Sequence, residues 1–206
     1  MINDMNKFIA IVGSNSNKST NRELLQYMQK HFQNQAEIEL VEIKGLPIFK
    51  KSADRFVPQA ARDIATKIEA ADGVIIATPE YDHSITAALT SALAWLSYGI
   101  HPFVDKPVMI TGASYGSLGS SRAQSQLRQI LDSPELKARI MPSSEFLLGH
   151  SLQAFDENEN LKDANEVKQL DGLFKDFLQF VEISKQLNNA NAVNKQKAEQ
   201  FSWDKD

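Results

Sequence analysis

The sequence predicts an α/β protein, a three-layer sandwich in which a five-stranded parallel sheet lies between two layers of helices. Short apolar runs alternate with helix-like periodicity about five times along the chain. Strict alternation of this kind folds as a parallel sheet with right-handed crossovers. Several runs are apolar without interruption, as strands buried on both faces are. The composition agrees: 206 residues, 42% of them apolar and 23% charged, suffice for one domain with a real core.

The elements follow in order. Residues 8–12 form a continuous apolar run ended by Gly13, the first strand. Residues 21–32 place Leu24, Leu25, Met28 and Phe32 on one helical face. Residues 37–43 nearly alternate apolar with polar, a half-buried strand. Residues 58–71 carry Ala61, Ile64, Ala65 and Ile68, with Pro58 suited to a first helical turn. The run 73–78 is the third strand, and 86–97, rich in Ala and Leu and holding Trp95, the next helix. Residues 107–111 give the fourth strand and 120–131 a helix with Ala123, Leu127, Ile130 and Leu131 inward. A weaker fifth run lies around 140–148, interrupted by Pro142. Residues 165–187 present Leu170, Leu173, Phe174, Phe177, Leu178 and Val181, a strong apolar stripe. Residues 1–187 read as one domain. Residues 188–206, rich in Asn, Gln and Lys, read as a polar tail or helix extension on which Phe201 and Trp203 could dock.

Composition also excludes whole classes. The net charge of −4 lacks the basic footprint that nucleic acid demands. Cysteine is absent, which removes disulfides, thiolate metal sites and cysteine nucleophiles. No run approaches the length of a membrane span, and the polar start lacks the pattern of a signal peptide. The expectation is a soluble cytoplasmic protein.

In open parallel sheets, ligands bind beyond the carboxyl ends of the strands, where strand order reverses. That rule selects three loops. The first, Gly13-Ser14-Asn15-Ser16-Asn17-Lys18-Ser19-Thr20-Asn21, fails both the dinucleotide fingerprint and the P-loop pattern, because it has one glycine and the wrong spacing. Four hydroxyls and three amides before a helix N-terminus remain, with Lys18 and Arg22 adding charge. Such a loop suits a single phosphate monoester. Helix capping would favour the same residue types.

The second loop, Pro79-Glu80-Tyr81-Asp82-His83-Ser84, can offer a flat edge and backbone hydrogen bonds to a ring. A partly buried loop tyrosine and a surface histidine are the plainer alternatives. The third, residues 112–120, holds three of the nine glycines, so its backbone can approach a ligand closely. It also matches G-x-S-x-G at Gly112-Ala113-Ser114-Tyr115-Gly116. A serine hydrolase using Ser114, with Asp132 and His150 following in the permitted order, is therefore a rival. Helical periodicity resumes only near Ser120, however, which leaves Ser114 in an extended loop.

Gly13-Ser14 with Ser19 and Asn21-Arg22, Pro79-Glu80-Tyr81 with His83-Ser84, Ala92-Leu93 through Trp95-Leu96-Ser97, and Gly116 and Gly119 followed by Arg122-Ala123-Gln124 and Gln126-Leu127-Arg128 come in one order along the chain. Together they resemble the NADPH-dependent FMN reductase family of flavodoxin-like proteins. The resemblance implies strand order 2-1-3-4-5, a homodimer, FMN as cofactor and NADPH or NADH as electron donor. The acceptor would be a flavin, quinone, azo compound, metal oxyanion or similar molecule. It implies that Ser14, Ser16, Ser19, Thr20 and Asn21 hold the phosphate. Pro79, Glu80, Tyr81 and Asp82 would line the ring with His83 and Ser84 close by, and Gly112, Ser114 and Gly116 would close the other side. Tyr81 and Tyr115 would border the open face.

The chain departs from the family pattern at Ser16, where arginine is common, and at Asp82, where asparagine is usual. Thr86-Ala87 stands for a common Pro-Gly, and Gly119-Ser120 for a paired glycine. Lys18 or Arg22 would compensate the charge missing at Ser16. Because flavin carries the hydride chemistry, no protein residue is expected to be catalytic in its own right. No metal site is expected either, since the four histidines and the carboxylates form no ligand pattern. The expected cycle is ping-pong, with reduced nicotinamide and acceptor using one flavin face in turn. A flavodoxin-type electron carrier without nicotinamide oxidation, and a ligand-free scaffold, are the alternatives.

Overall fold

A computed structural model describes residues 5–142, 145–187 and 191–200. Its elements are β1 (Asn6–Val12), α1 (Thr20–His31), β2 (Ala36–Glu42), α2 (Gln59–Ala70), β3 (Gly73–Ala77), α3 (Ala87–Trp95), β4 (Pro107–Ala113), α4 (Ser121–Leu131), β5 (Arg139–Ile140), β6 (Phe146–Leu148), a 3-10 turn (Ser151–Gln153), α5 (Ala164–Gln186) and α6 (Asn191–Gln200). The strands pair in parallel in the order β2-β1-β3-β4-β5, with β6 also on β4. This is the flavodoxin-like order, and β1 and β3 flank its reversal point.

Alternation along the central strands feeds two separate cores. Phe8, Ala10 and Val12 of β1, Ile75 and Ala77 of β3 and Met109 of β4 face Leu24, Leu25 and Met28 of α1 and Phe174, Phe177 and Val181 of α5. Ile9, Ile11, Val74, Ile76, Val108 and Ile110 point the other way, onto Ile64 and Ile68 of α2, Leu89 and Leu93 of α3 and Leu127 of α4. A period of two with both faces covered is why these strands read as unbroken apolar runs. Phe32 and Phe174 stack with centroids 3.8 Å apart, and Phe8 packs edge-on against Phe174. That cluster ties α1 and α5 to β1. The edge strand β2 alternates instead, and its outward Glu37 and Glu39 pair with Lys7 and Lys67.

The fifth strand is present in two pieces. Val108 pairs with Ile140 and Thr111 with Phe146, so six residues of chain pass what three residues of β4 cover. Pro142 lies in the interruption; it lacks the N–H that a ladder needs. After β6 the chain therefore arrives at the carboxyl end of β4, beside the third loop.

Residues 191–200 are helical. Asn191 Nδ2 donates to Val104 O (3.3 Å), Asn194 Nδ2 to Asp105 Oδ2 (2.8 Å), and Lys195 pairs with Glu69 (2.9 Å). These contacts place α6 at the amino end of the sheet, away from the three loops. Phe201 and Trp203 lie outside the described residues.

Candidate functional site

The three loops converge on one cavity of about 450 Å³ at the carboxyl ends of β1, β3 and β4. That volume lies within the range of small-molecule and cofactor sites. The first loop contributes Ser14, Lys18, Ser19, Thr20 and Asn21. Gly13 starts it because β1 and β3 approach too closely for a side chain: a Cβ there would lie 2.5 Å from Ala77 O. Ser19 caps α1, its Oγ accepting from Arg22 N (3.4 Å). The backbone N–H groups of Thr20 and Asn21 have no acceptor among the described residues. They are the free donors of a helix N-terminus, beside the buried hydroxyls of Ser14, Ser19 and Thr20.

Several first-loop groups have other tasks. Asn21 Nδ2 donates to Ala113 O and Asn21 Oδ1 accepts from Ala113 N, both at 2.9 Å, so this amide locks α1 to the end of β4. Arg22 forms a bidentate pair with Glu42 (2.5 and 2.9 Å), and its Nη1 donates to Ser16 O (3.0 Å). The hydrogen bond to Glu42 holds the guanidinium pKa above its ordinary value. Arg22 thus shapes the loop from behind. Ser16 does not line the cavity; its Oγ donates to Lys18 O (2.7 Å). Lys18 has no ion-pair or hydrogen-bond partner for its ammonium among the described residues. Of the two cations expected to replace the family arginine, Lys18 is the one on the cavity wall.

The second loop supplies Pro79, Glu80, Tyr81 and His83. Tyr81 N donates to Ser84 O (3.0 Å) and Ser84 N to Tyr81 O (2.9 Å), closing a two-residue turn over Asp82 and His83. Both central residues have positive φ, 50° and 62°, as a type I′ turn requires. Asp tolerates that conformation about as well as Asn does, which accounts for Asp82 locally. Asp82 and Ser84 are not on the cavity wall, and Asp82 is exposed. The carboxylate that does line the cavity, Glu80, accepts from Arg122 N (2.9 Å) and Ala123 N (3.3 Å) and pairs with Arg122 Nη1 (3.2 Å). Glu80 thereby caps α4, because the preceding Ser120 is left-handed (φ 69°) and gives no side-chain cap. The negative charge sits against the helix N-terminus, which stabilises it.

The third loop brings Ala113, Ser114, Tyr115, Gly116, Ser117 and Leu118, and α4 adds Arg122. Its glycines divide by task. A Cβ on Gly112 would lie 2.0 Å from Ser120 Oγ and 2.4 Å from Thr78 O, so Gly112 is packed behind the wall, contrary to the expected contact. Gly119 has φ +56° and abuts the Leu147 backbone. Gly116 alone of the three faces open space. Tyr115 is 60% exposed and Tyr81, on the second loop, 54%; both line the cavity. Ser117, Leu118 and Arg122 were not singled out as site residues from sequence; all lie within or just beyond the glycine-rich loop, which was the available signal.

This geometry does not make Ser114 a nucleophile. Its Oγ donates to Gly116 O (3.1 Å), and six residues separate it from the first residue of α4, so no strand–turn–helix elbow forms. Asp132 ends α4 at the helix's far end.

Comparison with known proteins agrees with the fold. The model of the family described as NADPH-dependent FMN reductase matches residues 6–153. An NADH:(hydroxy)cinnamate reductase subunit, CrdA, of Vibrio ruber is 55% identical over 197 residues, covering 95% of this chain and 96% of that one. An NADH-dependent flavin reductase subunit 2 of Lactobacillus johnsonii is 45% identical over 85% of this chain and 97% of its own. Among solved structures, the flavoenzyme NAD(P)H:(acceptor) oxidoreductase FerB of Paracoccus denitrificans superposes with a TM-score of 0.77 at 25% identity, over 87% of this chain and 99% of that one. The chain belongs to the NADPH-dependent FMN reductase family, enzymes that use FMN with NADH or NADPH as electron donor.

Proposed function

We propose that the chain is a cytoplasmic, homodimeric FMN-dependent NAD(P)H oxidoreductase that works by a ping-pong cycle, with the phosphate of FMN at the first loop and its ring between the second and third. The observation that carries this reading is the polarity of the cavity at the carboxyl ends of β1, β3 and β4. The first loop brings buried hydroxyls and, among the described residues, two N–H groups and an ammonium without a partner, while the second and third loops bring Pro79, Tyr81, Tyr115 and Leu118. A phosphate monoester joined to a flat ring matches that gradient.

In this reading FMN, when bound, supplies hydride acceptance and release. The protein's own work is positioning. Ser14, Ser19, Thr20 and Lys18 hold the dianion, with the first turn of α1 behind them. The clamp of Asn21 on Ala113 fixes the distance between the phosphate end and the third loop. Glu80 keeps α4 and Arg122 in register with the second loop. Tyr81 and Tyr115, both exposed on the cavity lining, would border the open flavin face that donor and acceptor use in turn.

NADH is the donor in the names of the two relatives above, and their acceptors are a hydroxycinnamate and a flavin; a relative of Escherichia coli, 34% identical over 151 residues, is named quinone reductase. These acceptors are conjugated, and the acceptor proposed here is of that class: a flavin, quinone, azo compound or similar molecule. The dimer reading is supported by the outward face of α3, where Ala87, Thr90, Ser91 and Ala94 are small, beside Ile48, which is 87% exposed. Light scattering giving twice the chain mass supports the dimer; the mass of one chain refutes it. Initial rates with NADH and a quinone should give parallel double-reciprocal lines. Intersecting lines would refute the ping-pong cycle.

A further inference from the structure

The 3-10 turn after β6 touches both walls of the cavity. The N–H of Ser151 donates to Ser114 O and that of His150 to Gly116 O, both at 3.0 Å, which fixes the third loop. The side chain of Ser151, only 1% exposed, reaches the first loop, where its Oγ lies 2.8 Å from Thr20 Oγ1.

Two hydroxyls in contact share one hydrogen bond but carry two protons, so its direction matters. Ser151 Oγ has no other partner among the described residues. If Thr20 donated to Ser151, the Ser151 proton would be stranded in the interior, and Thr20 would turn lone pairs toward the cavity. A buried donor without an acceptor is costly. The opposite direction satisfies Ser151 and leaves only the Thr20 proton without an acceptor, on a residue that lines the cavity. That proton stands beside the unpartnered N–H groups of Thr20 and Asn21.

We propose that Ser151 is a positioning residue for anion recognition: by donating to Thr20 Oγ1, it commits the Thr20 hydroxyl to donate into the cavity, toward the phosphate of FMN. A hydroxyl that accepts a hydrogen bond is also the stronger donor. Ser151 does not line the cavity and would act through Thr20. The inference rests on the reading of the first loop as the phosphate end.

The test separates the phosphate from the ring. Ser151→Ala keeps the backbone bond to Ser114 and removes only the hydroxyl. Dissociation constants of FMN and of riboflavin, which lacks the phosphate, are measured on the apoprotein by flavin fluorescence, with apoprotein melting as a control. FMN binding is expected to weaken roughly fivefold, with riboflavin binding unchanged. In a Thr20→Val background, Ser151→Ala should not change the FMN-to-riboflavin ratio further. An equal loss for both flavins, or no loss for either, overturns the proposal while leaving the phosphate reading in place. Wild-type protein that does not prefer FMN to riboflavin overturns both. If Ser151→Ala does not fold, Ser151→Cys keeps the volume with a poor donor and must lower the same ratio.

Discussion

At the amino end of the sheet, Asp105 is 7% exposed, and each of its carboxylate oxygens accepts a hydrogen bond: Oδ1 from Arg139 Nη2 (3.1 Å) and Oδ2 from Asn194 Nδ2 (2.8 Å). Nearby, the Lys106 ammonium donates to Ala71 O (2.5 Å), closing the end of α2, and burial pushes its pKa down. At the carboxyl end, the Thr20 and Asn21 N–H groups and the Lys18 ammonium have no partner among the described residues. Both ends are rich in polar groups. Asp105 and Lys106 close their hydrogen bonds within the chain, as most buried polar groups do in native proteins; the carboxyl end leaves donors of one sign facing a cavity. The contrast separates structural polarity from binding polarity, and substitutions at the two ends should behave differently.

The largest expected effect is at the closed end. Asp105→Ala removes the carboxylate to which Arg139 and Asn194 both donate, while Arg139 keeps the Ser184 and Leu187 carbonyls, and should cost about 2 kcal/mol of stability, seen in chemical denaturation, with FMN affinity of the folded protein unchanged. A matching loss of FMN affinity would break the separation. At the open end, Ser14→Ala should reverse the pattern. FMN affinity should fall roughly tenfold, as expected for losing a hydrogen bond to a charged group, with apoprotein stability changed far less than by Asp105→Ala.

Much of this was legible in the sequence. The central strands and five helices lie within a few residues of the positions that periodicity assigns, because both faces of the sheet are buried and the helices are amphipathic. The three loops were legible because a parallel sheet admits ligands at one edge. The pairing of groups within the loops was not. Asn21 meets Ala113, and Glu80 meets the start of α4, across long sequence separations that no local pattern encodes. Gly112 looked like a ligand contact because a glycine cleared for Ser120 and one cleared for a cofactor read alike. Ser151 gave no signal, since its position follows from the split of the fifth strand.

Two smaller effects sharpen the contrast from within the cavity wall. Glu80→Ala removes the cap of α4 and frees Arg122, and should lower stability by about 1 kcal/mol and FMN affinity a fewfold. Stability that stays constant would mean that Glu80 does not support α4. His83→Gly puts glycine at the second left-handed position of the 81–84 turn, the residue that a type I′ turn prefers. A gain of about 0.5 kcal/mol in thermal stability is expected, and a loss of that size would deny the turn geometry.

The most direct test of the account is an FMN titration of the apoprotein of wild type and Lys18→Glu in parallel, read by flavin fluorescence, with melting curves for both. Saturable binding to wild type that is strongly weakened in Lys18→Glu, with matching apoprotein melting, is the predicted result. Equal FMN affinity in the two proteins would contradict the placement of the phosphate at the carboxyl end of β1.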